Sequence, residues 1–598
     1  MVFMKGGESR KRIAVIDFDR CQPDGCGSYL CARVCPPNRA GKECIVIDES
    51  RKKPAISEEL CIGCQICTLK CPFKAISIIN LAQQLSQPIH SYGQNMFRLY
   101  SLPNVKNGAV VGLLGRNGTG KSTALRILSG KIPPNFGEPD SEASYGKAVK
   151  LFKGKELQAF FEKIRDKGIK LSYKPQNVDE IPILFKGTVE RFLRQFDEKG
   201  MLREIAVEME LESVLQSKIS EISGGELQRA AIAACALRKA GIYFFDEPSS
   251  YLDVRQRLRV AMLIRRLVAG DSAVLVVEHD LAVLDYLSDY INVLYGTPGV
   301  YGVVSSTKSA LNGVNEFLDG FLKEENMRFR EKELHFSSRP PPKATERKII
   351  AKFPALEKKF GGFSLKTSPG DFREGEVIGV LGPNAIGKTT FVKMLAGELN
   401  PDNTKLDFSL KVAYKPQYIR PKEGALVQDL FSAKGIDTQL FESEVEKKLH
   451  IKGFFDRQLS ALSGGELQKV SIAYNLSLES DVILLDEPSA FIDAEDRLRV
   501  ADIIRSVVDV KGKTALVIDH DILFQDYVSD RLIVFSGVPA KSGTSSAPMP
   551  MLEGMNAFLG EMGITFRRDK STGRPRVNKL GSRLDREQKE KGAYYYTG

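Results

Sequence analysis

The chain has 598 residues, of which 42% are hydrophobic and 27% are charged. At about 100 to 200 residues per domain, this length predicts three or four domains. No stretch approaches the roughly 18 uncharged apolar residues of a membrane span, and the N-terminus lacks the apolar run of a signal peptide, so we expect a cytoplasmic protein with no membrane partner. The net charge of +11 permits a polyanionic partner without requiring one.

The first chemical signal is a cluster of nine of the ten cysteines between Cys21 and Cys71. In a reducing compartment this density indicates metal ligation rather than disulfides. The downstream run, C-x2-C-x2-C-x3-C followed by proline, resembles the run with which two-cluster bacterial ferredoxins hold 4Fe-4S centres, and it comprises Cys61, Cys64, Cys67 and Cys71. The upstream run keeps the x3-C-P ending but has longer first loops, and it comprises Cys21, Cys26, Cys31 and Cys35. Zinc is the alternative, because C-x2-C pairs also suit a tetrahedral zinc site.

In the ferredoxin pattern three closely spaced thiolates bind one cluster, and the fourth cysteine reaches across to the neighbouring cluster. The ligand sets therefore interleave, and we expect two 4Fe-4S clusters. The first set is Cys21, Cys26, Cys31 and Cys71, and the second set is Cys61, Cys64, Cys67 and Cys35. Cys44 is then a spare thiol, and Cys235, which lies in a helical pattern, is expected to be a small core residue.

An internal repeat occupies most of the remaining chain. The segments GLLGRNGTGKST, from Gly112, and GVLGPNAIGKTT, from Gly379, both fit G-x4-G-K-[ST], and each lies between a strand pattern and a helix pattern. Four further pairs of segments recur in the same order: YKPQ with YKPQ, ISGGELQ with LSGGELQ, FFDEPSSYLD with LLDEPSAFID, and VVEHD with VIDHD. The order excludes chance and indicates that one α/β cassette has been duplicated.

Each glycine-rich loop is expected to hold the phosphates of ATP or ADP. Its backbone N–H groups close around phosphate oxygens, its lysine places a positive charge beside the β and γ phosphates, and its hydroxyl residue contacts Mg2+. The candidates in the first loop are Gly115, Asn117, Gly118, Gly120, Lys121, Ser122 and Thr123. Those in the second loop are Gly382, Asn384, Gly387, Lys388, Thr389 and Thr390.

The other repeated motifs supply the reactive groups. The catalytic candidates are, in each copy, a glutamate that orients and polarises the attacking water and a histidine that can reach the γ-phosphate: Glu247, Glu487, His279 and His520. Besides the loop hydroxyls of Ser122 and Thr389, the Mg2+ candidates are a carboxylate at a strand tip and a glutamine: Asp246, Asp486, Gln176 and Gln417.

These motifs together resemble those of the ATP-binding cassette (ABC) ATPases. The resemblance implies a head-to-tail sandwich, in which each loop site is completed by the S-G-G-E signature of the other cassette, at the N-terminus of a helix that favours anions. The first site would take Ser463, Gly464 and Gly465, and the second site would take Ser223, Gly224 and Gly225. Because both copies keep the glutamate and the histidine, we expect both sites to hydrolyse ATP.

Adenine needs an aromatic face, and aromatic residues precede the first strand of each cassette. The candidates are Tyr92 and Phe97 for the first site and Phe360 and Phe363 for the second. Ordinary hydrophobic packing is the alternative for all four.

Three segments fall outside the cassette pattern. Between Lys121 and Gln176 the first copy carries 26 residues more than the second copy does between Lys388 and Gln417, which indicates a helical insertion at about 136–170. The proline-rich, basic segment 337–348 predicts an extended connector. Residues 551–598 predict a hinge, a nucleic-acid contact or a disordered tail, because 567–591 alone carries a net charge of +6 while 551–566 resembles 314–329.

Taken together, the cysteine runs, the insertion and the hinge segments resemble, over essentially the whole chain, subfamily E of the ABC proteins, also called RNase L inhibitor, in its archaeal form. The resemblance implies an α/β fold of two tandem head-to-tail ABC-type P-loop ATPase domains behind a ferredoxin-like (α+β) iron-sulfur domain. The implied bounds are 1–80 for the ferredoxin-like domain, 81–313 for the first cassette, 314–348 for a hinge, 349–550 for the second cassette and 551–598 for a basic C-terminal hinge.

The same resemblance implies an ATPase that recycles ribosomes by splitting their subunits after termination or rescue. Its partners would be rRNA and protein of the small subunit and a release factor or Pelota-type protein, and it would act as a monomer whose paired cassettes move the iron-sulfur domain. Two other functions remain open from the residues alone. One is electron transfer coupled to ATP hydrolysis, and the other is the ATPase subunit of a transporter.

Overall fold

The structure is a computed structural model that describes residues 12–80, 87–139, 144–268, 272–334, 347–406, 410–419, 424–569 and 572–595. The connector predicted at 337–348 therefore lies almost entirely outside the described residues.

The cysteine-rich segment forms a small α+β unit on two antiparallel strand pairs. Arg12–Ile16 pairs with Ile76–Asn80, and Ile45–Asp48 pairs with Lys53–Ile56. The short helices of this unit are Leu30–Val34, Pro36–Arg39 and Ile66–Lys70. Its core is made largely of thiols packed against a few isoleucines, and the buried thiols are Cys21, Cys31, Cys35, Cys44, Cys61 and Cys67. A unit this small with so few large apolar side chains gains stability when a bound metal group joins its ligands.

This cysteine-rich unit is fixed to the first cassette. The apolar part of the contact consists of Ile13, Val15, Tyr100, Val300 and Val303. Beside it the buried amide of Asn95 donates to the carbonyl oxygens of Ala14 and Ile56, at 2.8 and 3.0 Å, and accepts from the backbone N–H of Ile56 at 2.8 Å. Because this buried amide is satisfied from both strand pairs, the unit and the first cassette are held as one body.

Both cassettes build sheets of the same topology, with nine strands each in the described part of the chain. The first sheet runs, in spatial order, through His90–Ser91, Arg98–Leu99, Tyr301–Val304, Tyr290–Thr297, Val110–Gly115, Ala273–Val277, Ile242–Asp246 and Leu171–Lys174, with Lys308–Ser309 paired to Tyr290–Thr297. The second runs through Glu357–Phe360, Phe363–Thr367, Ser542–Ser545, Arg531–Val538, Val377–Leu381, Thr514–Ile518, Val482–Asp486 and Val412–Lys415, with Met549–Pro550 paired to Arg531–Val538. A further strand pair, Ile349–Phe353 with Gly370–Arg373, precedes the second sheet.

The neighbouring strands that carry the motifs are parallel and buried on both faces, which explains their uninterrupted apolar runs. In parallel sheets of this kind the carboxyl ends of the strands meet at one edge. The phosphate loop, the acidic pair and the histidine of each cassette all follow such strand ends, so the fold gathers them at that edge.

Helices cover both faces of each sheet. In the first cassette they are Lys121–Leu128, Tyr145–Leu151, Glu156–Arg165, Ile181–Leu184, Val189–Arg194, Leu202–Glu208, Gly224–Leu237, Val254–Arg266 and Leu281–Leu287, with a 3-10 turn at Glu212–Val214. In the second they are Lys388–Leu395, Val427–Phe431, Thr438–Leu440, Lys447–Leu449, Gly464–Ser477, Ala494–Lys511 and Ile522–Val528, with a π-helical turn at Phe441–Glu446 and 3-10 turns at Ile451–Phe454 and Leu459–Ala461.

The insertion in the first cassette contributes the helices Tyr145–Leu151 and Glu156–Arg165. Leu157, Phe160 and Phe161 are buried, and Phe161 stacks on Phe152 with ring centroids 5.5 Å apart. The lysines on the other side are exposed, among them Lys147, Lys150, Lys153, Lys155 and Lys163. The insertion is thus a basic ridge held down by an aromatic core.

A helix and a hairpin follow each cassette. The first set is the helix Ala310–Asp319 with the hairpin Phe321–Leu322 and Met327–Arg328, and the second set is the helix Met551–Met562 with the hairpin Phe566–Arg568 and Pro575–Val577. A last helix, Arg583–Glu590, closes the chain. The alternative of a disordered C-terminal tail is therefore wrong for the described residues.

The arginines of this C-terminal segment are largely used inside the protein. Arg574 is fully buried, and Arg576 binds the carboxylate of Asp285 in the first cassette at 2.6 and 3.0 Å. Arg568 binds Asp526 in the second cassette at 2.9 Å. The segment thus bridges the two cassettes, and these arginines do not offer the exposed basic surface that the net charge suggested. Within the described part of this segment the exposed basic residues are Lys579, Arg583, Arg586 and Lys591.

Candidate functional sites: two nucleotide clefts and a cysteine centre

One continuous cleft between the cassettes brings the motif residues of both copies together. Its lining includes, from the first cassette, Lys121, Ser122, Gln176, Ser223, Gly225, Glu247 and His279, and from the second Lys388, Thr389, Gln417, Ser463, Gly465, Asp486, Glu487 and His520. Gly115, Gly382 and Asp246 are not part of the lining. The two glycines instead offer carbonyl oxygens to the loop lysines.

The cassettes face each other head to tail. The backbone N–H of Asn117 in the first loop donates to Asp493 Oδ2 at 2.8 Å, and the N–H of Asn384 in the second loop donates to Asp253 Oδ2 at 3.0 Å. Burial by itself raises the pKa of Asp493, but the N–H groups that it accepts hold the pKa below its usual range. Each phosphate loop is therefore anchored by a carboxylate of the opposite cassette.

Each loop lysine is buried and points into its own loop. Lys121 Nζ donates to the carbonyl oxygens of Gly115 and Arg116 at 2.7 and 2.8 Å, and Lys388 Nζ donates to the carbonyl oxygen of Gly382 at 2.8 Å. Burial lowers the pKa of both lysines, that of Lys388 to about 8. A phosphate in the loop would offer this desolvated cation a charged acceptor, which is a stronger partner than a carbonyl.

Backbone geometry requires small residues in the loops. Gly120 has a φ of +94°, and a Cβ there would lie 2.8 Å from Phe97 Cζ. Gly387 has a φ of +101° and is similarly confined. Ala385 stands where the first loop has Gly118 and is held at a φ of +57°, so the second loop carries a strained residue that the first avoids.

The residues predicted for Mg2+ fit a hard cation. Thr389 Oγ1 donates to Asp486 Oδ2 at 2.8 Å, while Asp486 Oδ1 is buried and has no hydrogen-bond partner. Asp246 Oδ1 in the first cassette is in the same state. Burial raises the pKa of both aspartates, that of Asp486 to about 6. A buried carboxylate oxygen without a donor, beside a hydroxyl group, is the environment that a divalent cation satisfies.

The glutamate, glutamine and histidine of each copy meet at the edge of the sheet. Gln176 Nε2 donates to Glu247 Oε1 at 2.8 Å, and His279 Nε2 lies 3.3 Å from the same oxygen without hydrogen-bond alignment. In the second copy Gln417 Nε2 donates to Glu487 Oε1 at 2.7 Å, and His520 Nε2 lies 3.5 Å from the same oxygen.

The electrostatics of these glutamates favour a permanently charged carboxylate. Burial alone would raise the pKa of Glu247, but His279, Lys121 and Gln176 outweigh it and hold the pKa at about 2. The corresponding neighbours of Glu487 hold its pKa at about 2 as well. Both glutamates also have a positive φ, +48° and +49°, a strained conformation that is common at reactive sites.

The sequence interpretation missed two pairs of residues that build the sites. Lys174 and Lys415, the lysines of YKPQ, are buried and donate to the carbonyl oxygens of Asp246 and Asp486 at 2.9 and 2.7 Å. Asp253 and Asp493 make the cross-cassette bonds described above. The signal for both pairs was present, because each residue recurs at the same place in the repeat.

The two signature helices begin with matching capping boxes. Ser223 Oγ and Ser463 Oγ each contact the glutamate three residues on, at 2.7 and 2.9 Å. Each of these helices, Gly224–Leu237 and Gly464–Ser477, has 14 residues. Their N-termini therefore bring a substantial helix dipole to the cleft.

The aromatic candidates divide by site. Tyr92 and Phe97 line the cleft, and the Tyr92 hydroxyl lies 3.0 Å from Thr123 Oγ1, which places this ring directly beside the first loop. Phe360 and Phe363 do not line the cleft. Phe360 is nonetheless 43% exposed at the turn that precedes the second cassette's loop.

The cysteines gather in the interleaved pattern. A small cavity is lined by Cys35, Cys61, Cys64 and Cys67, which are the second predicted set, together with Cys44. Cys21 is raised in pKa first by burial and then by its neighbours Cys71 and Cys26, so the last cysteine of the downstream run lies with the upstream thiols. In the described residues no three potential ligands converge as on a single ion. In an iron-sulfur cluster each cysteine binds a different iron, so the thiols of one set need not converge on a single point.

Comparisons with known families agree with this architecture. A model described as ABC transporter matches residues 103–250 and 365–490. Models described as a possible Fer4-like domain in RNase L inhibitor and as a 4Fe-4S binding domain match residues 12–43 and 54–77. Within the described residues no helix is long and apolar enough to cross a membrane. The fold and the sites thus define an ABC-type ATPase with two cassettes and a ferredoxin-type iron-sulfur domain.

Individual relatives narrow this class. The chain is 52% identical to an ABC transporter ATP-binding protein of Methanocaldococcus jannaschii, over 99% of both chains. It is similar to the archaeal ABCE1 in a ribosome-bound model with Pelota, with 54% identity and a TM-score of 0.91 over 98% of this chain and 99% of the other. It is also similar to the archaeal ribosome recycling factor aABCE1 in complex with the stalk protein aP1, with 53% identity and a TM-score of 0.82 over 85% of this chain and 99% of the other. The chain belongs to subfamily E of the ABC proteins, the RNase L inhibitor family.

Proposed function

We propose that the chain is an ATP-driven ribosome recycling factor that separates the subunits after termination or rescue. The observation that carries the proposal is the full-length match to ABCE1 bound to the ribosome with Pelota, because it covers the iron-sulfur unit, both cassettes and the hinge segments together. The partners are then rRNA and protein of the small subunit and a release factor or Pelota-type protein. The protein acts in the cytoplasm as a monomer, since its two cassettes already pair within one chain.

Two composite ATP sites follow from the head-to-tail contacts. Site one takes its loop and catalytic residues from the first cassette and its signature from the second, namely Tyr92, Lys121, Ser122, Gln176, Asp246, Glu247, His279, Ser463 and Gly465. Site two is the converse, namely Lys388, Thr389, Gln417, Asp486, Glu487, His520, Ser223 and Gly225. Asp493 and Asp253 anchor the two loops across the interface.

The chain's own residues perform the hydrolysis steps. The loop lysines and N–H groups hold the phosphates. Ser122 and Asp246 in site one, and Thr389 and Asp486 in site two, would hold Mg2+, which would neutralise the charge of the phosphates. Because Glu247 has a pKa of about 2, it stays ionised and acts by accepting a hydrogen bond from the attacking water and orienting it, rather than by storing a proton. Gln176 fixes the carboxylate oxygen, and His279 lies on its other side.

Two 4Fe-4S clusters fit the cysteine-rich unit. Cys21, Cys26, Cys31 and Cys71 would hold one, and Cys61, Cys64, Cys67 and Cys35 would hold the other. Such clusters supply rigid cross-links to a unit whose core is otherwise mostly thiols. This unit is joined to the first cassette by apolar contacts, so closure of the cassettes on ATP moves it as a lever against the ribosome.

The domain limits are proposed as 1–80, 81–313, 314–348, 349–550 and 551–598. Neither the electron-transfer function nor the transporter function is favoured by any contact among the described residues.

The proposal is tested by incubating ribosomes with the protein, MgATP and a release factor and following subunit separation by sedimentation. Glu247→Gln and Glu487→Gln keep the shape of each site but remove the charge that orients water, so hydrolysis should slow by a factor of about a hundred or more while closure persists. The double variant should then remain trapped on the small subunit. Glu212→Gln, at an exposed position, is the matched control. Intact ribosomes with the wild-type protein, or undiminished turnover in the double variant, would overturn the assignment.

A further inference from the structure

A side chain of the cysteine-rich unit contacts the signature of the second cassette. Arg20 Nη2 lies 3.2 Å from Glu466 Oε1, and the two side chains are 30% and 19% exposed. Arg20 also lines the nucleotide cleft, and it immediately precedes the candidate cluster ligand Cys21. One residue thus links the iron-sulfur unit and a nucleotide site.

The partner of Arg20 shapes the signature itself. Glu466 Oε2 accepts from the backbone N–H and the hydroxyl of Ser463, both at 2.9 Å, and so completes the capping box that opens the helix Gly464–Ser477. Its other oxygen, Oε1, accepts from Arg457 at 2.8 Å and from Arg20. Arg20 therefore acts on the carboxylate that fixes the first turn of the signature helix.

The first cassette has no equivalent arrangement in the described residues. Glu226 caps Ser223 in the same way, at 2.8 and 2.7 Å, but no arginine forms an ion pair with it there. The position that matches Arg457 is Ser217. Among the described residues the capping box is thus present in both copies, while the arginine contacts are found at the second signature alone.

The attachment of the cysteine-rich unit to the first cassette determines which parts of the protein the Arg20–Glu466 ion pair connects. Because the cysteine-rich unit is held on the first cassette by apolar contacts and by Asn95, Arg20 belongs mechanically to the first cassette. Glu466 belongs to the second. The pair therefore spans the interface that must close over site one, and it draws the signature toward the loop of Lys121.

We infer that Arg20 is a positioning residue of ATP site one, which couples nucleotide binding at that site, and not at site two, to the placement of the iron-sulfur unit. The inference rests on the proposed assignment of Ser463 and Gly465 to site one. A partly exposed ion pair contributes up to about 1 kcal/mol, which is up to a roughly fivefold change in affinity. By linkage, ATP at site one stabilises the placement of the unit by the same factor.

The test measures the Kd of MgATP at each site by equilibrium dialysis, without ribosomes, on the full-length, iron-loaded protein. Lys388→Ala leaves site one as the measured site, and Lys121→Ala leaves site two. In the first background Arg20→Ala should raise the Kd about two- to fivefold, and Arg20→Lys should restore part of it. In the second background Arg20→Ala should leave the Kd unchanged.

A second variant controls for the chance that Arg20→Ala damages the neighbouring iron-sulfur cluster. Glu466→Gln retains the capping box, because glutamine also serves at this position, but it removes the charge that Arg20 binds. It should raise the Kd at site one at least as much as Arg20→Ala does, because it also removes the charge that Arg457 binds, and adding Arg20→Ala to Glu466→Gln should raise the Kd no further. Glu226→Gln is its matched control and should not alter the effect of Arg20→Ala.

The outcomes distinguish a wrong role for Arg20 from a wrong assignment of the signatures to the two sites. An equal effect at both sites, or no effect of Glu466→Gln at site one, would overturn the role of Arg20. An effect confined to site two would show that the signatures are assigned to the wrong sites. Because ribosomes are absent, the result does not depend on the recycling function.

Discussion

At the scale of single residues, the buried lysines of the two YKPQ motifs set the position of the reactive acids. Lys415 is fully buried, and its ammonium group donates to the carbonyl oxygens of Asp486 and Glu487 at 2.7 and 3.2 Å. Lys174 makes the same pair of contacts in the first copy, at 2.9 and 3.3 Å. A cation in this position ties the end of one strand to the acidic pair on the next.

Replacing this cation should destabilise the second cassette. Lys415→Met keeps most of the side-chain volume but leaves the buried carbonyl oxygen of Asp486 without this donor and that of Glu487 with the amide of Gln468 alone, which costs about 1–3 kcal/mol and lowers the Tm by several degrees, of the order of 2–10 °C. Scanning calorimetry of the nucleotide-free protein measures this change. Lys448→Met, which removes a partly exposed ion pair with Asp502, is the control and should shift the Tm little. Equal transitions for the two variants would contradict the role of Lys415.

A second residue, Asp526, predicts a pH dependence. Burial raises its pKa to about 6, although Arg568 opposes the shift. Since the unfolded aspartate has a pKa near 3.8, the docked state binds the proton more tightly, and docking of the C-terminal segment should weaken as the pH rises from about 4 to 6. A shift of this size corresponds to roughly 3 kcal/mol over that range.

Hydrogen exchange of residues 566–595, corrected for intrinsic rates, measures this docking. Protection in the wild type should fall between pH 4 and 6, and the variant Asp526→Asn should lack that component of the slope. A wild-type slope that survives unchanged in Asp526→Asn would show that another group is responsible.

The residues that the sequence predicts are those whose role is local. A phosphate loop needs glycine, lysine and a hydroxyl residue at fixed spacing, so Lys121 and Ser122 are readable from a short segment. Asp253 is different, because its carboxylate acts on Asn384, 131 residues away in the other cassette. No spacing rule within one cassette indicates such a contact, and the same applies to Arg20 and Glu466.

At the scale of elements, the C-terminal hairpin is a clamp across the two cassettes. Its arginines bind Asp285 and Asp526, which occupy equivalent positions, each five residues after the aspartate that follows the candidate catalytic histidine. The hairpin therefore contacts the same helix in both cassettes. Any movement of these helices relative to each other must be accommodated by this segment, as a hinge requires.

Removing one anchor should release the hairpin from the first cassette. Asp285→Ala leaves the fully buried Arg574 without its ion-pair partner and Arg576 with Asp569 alone, at 3.5 Å, and an uncompensated buried charge costs about 3–5 kcal/mol. Limited proteolysis should then cut within 566–595 much faster than in the wild type. Glu587→Ala, which removes an exposed pair with Arg583, serves as the control and should be cleaved at the wild-type rate. Unchanged resistance of Asp285→Ala would mean that the other contacts, among them the pair of Arg568 with Asp526, suffice to hold the hairpin.

Elements were predictable where their pattern is periodic. The strand patterns before the phosphate loops predict central strands, and the 26 extra residues between Lys121 and Gln176 predict the helical insertion. The docking of the C-terminal segment on both cassettes was not predictable from its composition, because its high charge is typical of a solvated tail. What decides its fold is a pairing of Arg576 with a carboxylate 291 residues earlier, which composition cannot reveal.

At the scale of the whole molecule, the two sites share one central contact. Tyr251 and Phe491, at equivalent positions of the repeat, meet with ring centroids 6.0 Å apart, and both have a left-handed φ, +65° and +62°. Each ring is two residues before the aspartate that anchors the opposite phosphate loop. The loops that carry these residues therefore connect the two sites, and each cassette binds the phosphate loop of the other.

These reciprocal contacts predict that Asp253 and Asp493 each control closure of the entire molecule. Asp253→Asn and Asp493→Asn preserve the helix cap that each aspartate also provides, since asparagine caps equally well, but they weaken the bond to the opposite loop. Losing one such charge-assisted bond costs about 1–2 kcal/mol, so about 5- to 30-fold more ATP should be needed for half-closure. Small-angle scattering of the Glu247→Gln/Glu487→Gln protein, titrated with MgATP, measures closure as a fall in the radius of gyration.

If the costs of the two lost bonds add, the double variant should close only at about 25- to 900-fold higher ATP, and coupling through Tyr251 and Phe491 would appear as a departure from that product. Asp24→Ala, an exposed change on the iron-sulfur unit, should close as the parent does. If either single variant closed at the parent's ATP concentration, closure would have to be driven by the nucleotide contacts alone, and the anchoring aspartates would serve only the resting arrangement of the cassettes.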